Sequence, residues 1–130
     1  MINSAQTVHD FIAAFKKAWS TADHEALGSF FDRDTIYHNI PLEPVTGRTA
    51  IVATFAQLMS MGGHVDVDII HMIAKGPIVM TERVDFFTRE DGTKVSLPMM
   101  GVIEVHDRLI VAWRDYFDLA QFTSQVSGRT

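Results

Sequence analysis

The chain contains no cysteine. That removes a disulfide framework, a thiolate zinc site and a cysteine nucleophile together, and with them any redox clue to compartment. Positive charge is scarce. Eleven Lys and Arg stand against 16 Asp and Glu, and a formal net charge of −5 repels phosphate backbones, so no nucleic-acid partner is expected. No apolar run approaches the roughly 20 residues that cross a membrane; His71 interrupts Ile69 to Ala74, and Glu104 ends the stretch before it. The opening Met1-Ile2-Asn3-Ser4-Ala5-Gln6 has neither a basic n-region nor an apolar h-region, so no signal peptide is expected and the default location is the cytoplasm. Two independent cores within 130 residues would each be too small, so residues 1–130 are expected to form a single domain. What is plentiful is Phe and Met, nine and seven of them. Both fill irregular apolar space, as a Phe-rich core or as the wall of an apolar cavity.

The first third reads as helix. Asn3 or Ser4 can cap a segment in which Val8, Phe11, Ile12, Phe15 and Trp19 recur at helical spacing. A short second helix fits Asp23 to Phe31. Thr35 to Ile40 is β-rich and stops at Pro41, and Pro41 to Gly47 reads as a loop. Thr46 or Arg48-Thr49 then opens a third helix with Ile51, Phe55, Leu58 and Met59 on one face, ended by Gly62-Gly63. Four strands are predicted after it: His64 to Ala74, Ile78 to Thr88, Lys94 to His106 and Leu109 to Phe117. The breaks at Lys75-Gly76-Pro77, Asp91-Gly92 and His106-Asp107-Arg108 make them an antiparallel meander. A last short helix spans Asp118 to Val126. Helices followed by a meander predict an α+β domain whose sheet curls around one apolar face covered by the N-terminal helices.

Alternation along the strands puts acids on an apolar face. Leu109, Val111, Trp113, Asp115 and Phe117 share one parity, and Val95, Leu97, Met99, Gly101, Ile103 and Val105 form a clean inner face. In Ile78 to Thr88 the even set is the more apolar, so parity leaves the inner face open; if Val79 and Phe87 point inward, Arg83 and Asp85 do too. Arg83 and Asp85 are then roughly 7 Å apart along one strand, and a curled sheet can bring Asp115 opposite. One guanidinium can bond both carboxylates in its fork geometry. Two carboxylates and one guanidinium carry an excess negative charge that an apolar cavity disfavours, so the trio should retain a proton near neutral pH. A carboxylate beside a carboxylic acid is a general base beside a general acid. Parity alone fits a structural ion-pair network equally well. Tyr37 and Asn39, which share a face of the first strand, add a phenol and a carboxamide; with Asp115 they would give one water three partners.

At Tyr37-His38-Asn39, Arg83-Val84-Asp85 and Trp113-Arg114-Asp115, taken in that order, the chain resembles the limonene-1,2-epoxide hydrolase family. Flanking residues agree: Asn39-Ile40-Pro41 before Gly47-Arg48, Pro98-Met99-Met100-Gly101-Val102, and Ala112-Trp113-Arg114-Asp115-Tyr116-Phe117. The resemblance runs from the first helix to Phe122. It implies a strongly curved mixed sheet with helices packed into its concave face, cone-like and cystatin-like, in a homodimer without metal or cofactor. It further implies that Asp115 takes a proton from water, that Tyr37 and Asn39 hold that water, that Asp85 protonates the epoxide oxygen and that Arg83 bridges the two acids. Trp113 would stand in the pocket wall. The chemistry suits the trio, since opening an epoxide needs a nucleophile at carbon and a proton for the leaving oxygen. The substrate would be a small apolar epoxide, the co-reactant water and the product a vicinal diol. Phe87, Leu97, Met99, Phe117 and Phe122 are the expected apolar lining.

No metal site is expected from the six histidines: His64 and His71 fall on opposite parities, and no spacing matches a zinc pattern. Two other functions suit the same fold. One is a ketosteroid-isomerase-like or SnoaL-like cyclase, in which an Arg between two acids has no obvious use. The other is a non-catalytic binder of apolar ligands.

Overall fold

The computed structural model describes residues 3–127; Met1 and Ile2, which entered the leader reading, lie outside the described residues. Among the described residues no helix is long and apolar enough to cross a membrane.

Helix α1 (Ser4–Thr21) starts at Asn3, whose side chain accepts from the Gln6 backbone N–H at 2.8 Å. Val8, Phe11, Phe15, Ala18 and Trp19 form its buried stripe. The short second helix expected from Asp23 to Phe31 is a 3-10 helix, His24–Phe30. Strand β1 (Phe31–Asn39) begins four residues ahead of Thr35. Its ladder with β6 is irregular over these added residues, with a register shift between Phe31 and Ile36. Buried Thr35 anchors that irregularity by donating to the Ile110 carbonyl at 2.7 Å. The expected loop contains a two-residue strand, β2 (Val45–Thr46), which pairs with Ile36 and Tyr37. Helix α2 (Arg48–Met59) stops before the glycine pair. Four long strands follow: β3 (His64–Lys75), β4 (Ile78–Thr88), β5 (Lys94–His106) and β6 (Leu109–Tyr116). Helix α3 (Leu119–Val126) is the last described element, with Asp118 as its cap.

The strands form one curled, mixed sheet in the order β2-β1-β6-β5-β4-β3. The meander is antiparallel throughout, and β1 returns beside β6 in parallel, placing Tyr37 next to Trp113 and Asn39 next to Asp115. Helices α1 and α2 fill the concave face. Phe11 stands at their centre, with ring centroids of Phe30, Phe31 and Trp113 at 5.2, 5.6 and 4.9 Å.

Two bulges alter the faces expected from alternation. Between Ile69 and His71 the register with β4 shifts by one residue, so His71 lies opposite Glu82 on the outer face, the face His64 shares through its pairing with Thr88. The two histidines therefore have the same orientation, not opposite ones; they stand far apart along β3, and His71 Nδ1 lies 2.9 Å from Glu82. In β6 Val111 is left unpaired where the register against Glu104 and Val105 of β5 shifts, which turns Ile110, not Leu109, into the core. Ile110 is fully buried and Leu109 half-exposed. Ile110→Ala is accordingly expected to cost about 2–5 kcal/mol, with Leu109→Ala costing less than half as much; urea unfolding of both variants checks the order.

Candidate active site

Strand β4 resolves the parity that the sequence leaves open. Its register with β5 sets Arg83 opposite Met99 and Asp85 opposite Leu97, so the odd, less apolar set faces the concavity. Val79, Thr81, Arg83, Asp85 and Phe87 are all buried, whereas Met80 and Phe86 lie on the exposed outer face. Asp115 reaches the same region from β6, two strands away.

The three charged side chains meet. Arg83, Asp85 and Asp115 are 5, 7 and 2% exposed. Arg83 Nε donates to Asp85 Oδ1 at 2.9 Å, and Nη2 to Asp85 Oδ2 at 3.4 Å. The other edge of the guanidinium holds Asp115: Nη1 donates to Oδ1 at 3.0 Å and Nη2 to Oδ2 at 2.7 Å. Trp113 Nε1 donates to Asp115 Oδ1 at 2.8 Å, and the guanidinium carbon lies 5.8 Å from the Trp113 ring centroid. The hydroxyl of Thr81 accepts from Arg83 Nη1 at 3.1 Å. Tyr37 donates its phenolic proton to Asn39 Oδ1 at 3.3 Å.

Burial raises the Asp85 carboxyl above its ordinary value; Arg83 pulls it back, and the Asp115 carboxylate pushes it up again. Burial works against the charge of Arg83, but Asp115 and Asp85 outweigh it and hold its pKa above the usual guanidinium range. Burial, reinforced by Asp115, also keeps the Tyr37 phenol protonated. The cluster thus combines a fixed cation, a carboxyl biased toward its neutral form and a neutral phenol.

This polar group forms part of the wall of a cavity of about 410 Å³. Trp113, Phe87, Leu97, Met99, Phe117 and Phe122, all expected as lining, do line it. Helix α3 closes one side, with the Phe122 ring 6.1 Å from that of Phe87. It is fastened by Gln125, whose amide bonds the Ser96 N–H and carbonyl at 2.9 Å each, and by Arg89, which donates to the Val126 carbonyl at 2.7 Å. The sequence reading missed the lining contributed by Phe11, Phe55 and Leu58 from the two long helices and by Val67 from β3, the cross-strand partner of Asp85. Nothing in periodicity separates a helical residue facing a cavity from one facing solid core. It also missed Thr81, whose signal was a hydroxyl on the same parity as Arg83.

A family model described as the limonene-1,2-epoxide hydrolase catalytic domain matches residues 2–127. The chain belongs to the limonene-1,2-epoxide hydrolase family. A relative within the reach of this membership is epoxide hydrolase EphG of Mycobacterium tuberculosis, 34% identical over 112 residues, covering 83% of this chain and 71% of that protein. Among solved structures, an LEH-like epoxide hydrolase of M. tuberculosis superposes with a TM-score of 0.73 at 25% identity, covering 95% of this chain and 91% of the other. A hypothetical protein of ketosteroid isomerase-like fold from Catenulispora acidiphila, solved with trimethylamine, gives 0.75 at 26% identity over 92% and 93%. The span matched to the LEH family contains every helix and strand of the described residues and the whole cluster from Tyr37 to Phe122.

Proposed function

We propose that this LEH family member adds water to a small apolar epoxide to give a vicinal diol in one step. The observation that carries the reading is the guanidinium of Arg83 bonded to two carboxyl groups, at 2.9 and 2.7 Å, in the wall of a mostly apolar cavity. In the proposed reaction Asp115 takes a proton from a water held with Tyr37 and Asn39. The water oxygen bonds to one epoxide carbon, the carbon–oxygen bond breaks, and Asp85 delivers its proton to the leaving oxygen. Water is consumed whole, and the trio keeps the same number of protons. The proton has moved from Asp85 to Asp115, so Arg83 faces one carboxylate and one carboxylic acid before and after. A cation bonded to both acids stabilises either arrangement without moving.

A panel of cyclic and linear epoxides assayed for diol tests the reading. Turnover without added metal or cofactor is expected on at least one apolar member. In ¹⁸O-labelled water a single turnover should place label in the diol and none in Asp85 or Asp115; label in either aspartate would mean an ester intermediate. Binding of apolar epoxides without turnover at any pH would leave only an apolar-ligand binder.

A further inference from the structure

Glycine in the middle of a strand forfeits packing and weakens the ladder. Gly101 does so at the centre of the sheet. It sits in β5 between Thr81 of β4 and Asp115 of β6, its own cross-strand partners on either side, and on the inward face. Its backbone does not require the left-handed region, where the positive-φ glycines are Gly47, Gly62, Gly63, Gly76 and Gly92. The requirement is one of space. A Cβ on residue 101 would stand 2.6 Å from Arg83 Nη1, 2.6 Å from Asp115 Oδ1 and 3.0 Å from Thr81 Oγ1.

Those are the atoms of the bridge. Arg83 and Asp115 stand on strands two apart, separated by about 9–10 Å of sheet. For Nη1 to reach Asp115 Oδ1 at 3.0 Å, the guanidinium must lie flat across the intervening strand. Any side chain on that strand at that height occupies its path. We propose that Gly101 is a positioning residue for the reaction: the missing side chain is the gap through which Arg83 crosses β5, and the bare backbone, with the Thr81 hydroxyl beside it, is the floor that sets the height of the guanidinium between the two acids. Gly101 acts through Arg83 and Asp115 and is absent from the cavity lining. The role rests on the epoxide-hydrolase reading for its kinetic consequence, but not for its steric one.

Two experiments test it. In Gly101→Ala the methyl lifts the guanidinium off the floor and breaks its contact with Asp115 Oδ1. A fall in kcat of about 100-fold or more is expected, within the range attributed to a general acid–base group, with KM within about threefold because the wall is untouched. Val105→Ala, buried on the same strand and face but away from the cluster, controls for lost stability and should keep kcat within about threefold. The second experiment needs no substrate. Gly101→Ala should lower Tm in the wild-type background and raise it in an Arg83→Ala/Asp115→Ala background, where the two closest atoms are gone, the Thr81 hydroxyl at 3.0 Å has freed space to move into, and alanine is the better strand residue. If Gly101→Ala alone does not fold, the comparison of triple with double variant still decides. Unchanged kcat in Gly101→Ala, or a lower Tm on adding it to the double variant, overturns the proposal. Absence of turnover by the wild type on every epoxide would instead remove the hydrolase reading and leave the Tm comparison to judge the gap.

Discussion

Replacing Asp115 with Asn is expected to lower kcat by about 10⁴-fold, at the upper end of what one acid–base group supplies, with KM changed little. The size follows from two losses in one substitution. The amide oxygen is not a base, so in the proposed reaction the water would lose its proton acceptor. The Asp115 charge also helps to raise the Asp85 carboxyl, so its removal leaves Asp85 paired with Arg83 alone and more readily ionised. The variant would therefore weaken the proposed acid as well as delete the proposed base. Folding should survive, because Asn retains an oxygen for Trp113 Nε1 and for one Arg83 contact, and the buried cluster loses its excess negative charge. Steady-state kinetics on the best epoxide, with circular dichroism as the fold control, makes the measurement. Activity within about tenfold of wild type would remove Asp115 from the role of base.

That such a cluster exists was only partly legible from residue order. Strand β5 announced its inner face through Val95, Leu97, Met99, Ile103 and Val105, and Asp115 stood out among apolar neighbours in β6. Strand β4 pointed the other way by composition: Met80 and Phe86 belong to the more apolar set, and both are exposed. Hydrophobicity could not orient this strand, since its inward charges satisfy one another and its outward apolar groups stay on the surface. Register with β5 decided the matter, and register is a property of two strands together. The bulges at Ile70 and Val111 were equally hidden, because an inserted residue changes parity without changing composition. Tyr37 and Asn39 could be read as sharing a face, but their place beside Trp113 and Asp115 comes from the parallel pairing of β1 with β6. That pairing joins residues from opposite ends of the chain. The cavity wall on α1 and α2 was beyond reach for a related reason: a gap between helix and sheet is set by how far the two stand apart, which no single element encodes.

Asp85→Asn should lower kcat by about 10²–10⁴-fold, and its pH behaviour distinguishes an acid from a structural partner. An ordinary aspartate ionises near about pH 4; burial raises Asp85 above that in the folded protein. If protonated Asp85 is the acid, wild-type activity must decline as pH rises through the raised value, when the proton is no longer available. The asparagine can donate a hydrogen bond to the epoxide oxygen but cannot transfer a proton to it, so the residual activity of the variant should show no such alkaline decline. Stability obeys the same linkage with a definite sign. The folded state binds this proton more tightly than the unfolded chain, so the stabilisation it contributes is complete below the unfolded pKa and disappears as pH rises through the folded one. Asn imitates the protonated carboxyl at every pH. The Tm of the variant should therefore depend less on pH and should exceed that of wild type on the alkaline side, even as its activity falls. Rate profiles and thermal melts of both proteins between about pH 4 and 9 read the two effects separately. A purely structural Arg83–Asp85 ion pair predicts the reverse for stability, since removing one partner would leave a buried cation less compensated and lower the Tm most where the carboxylate had been fully ionised.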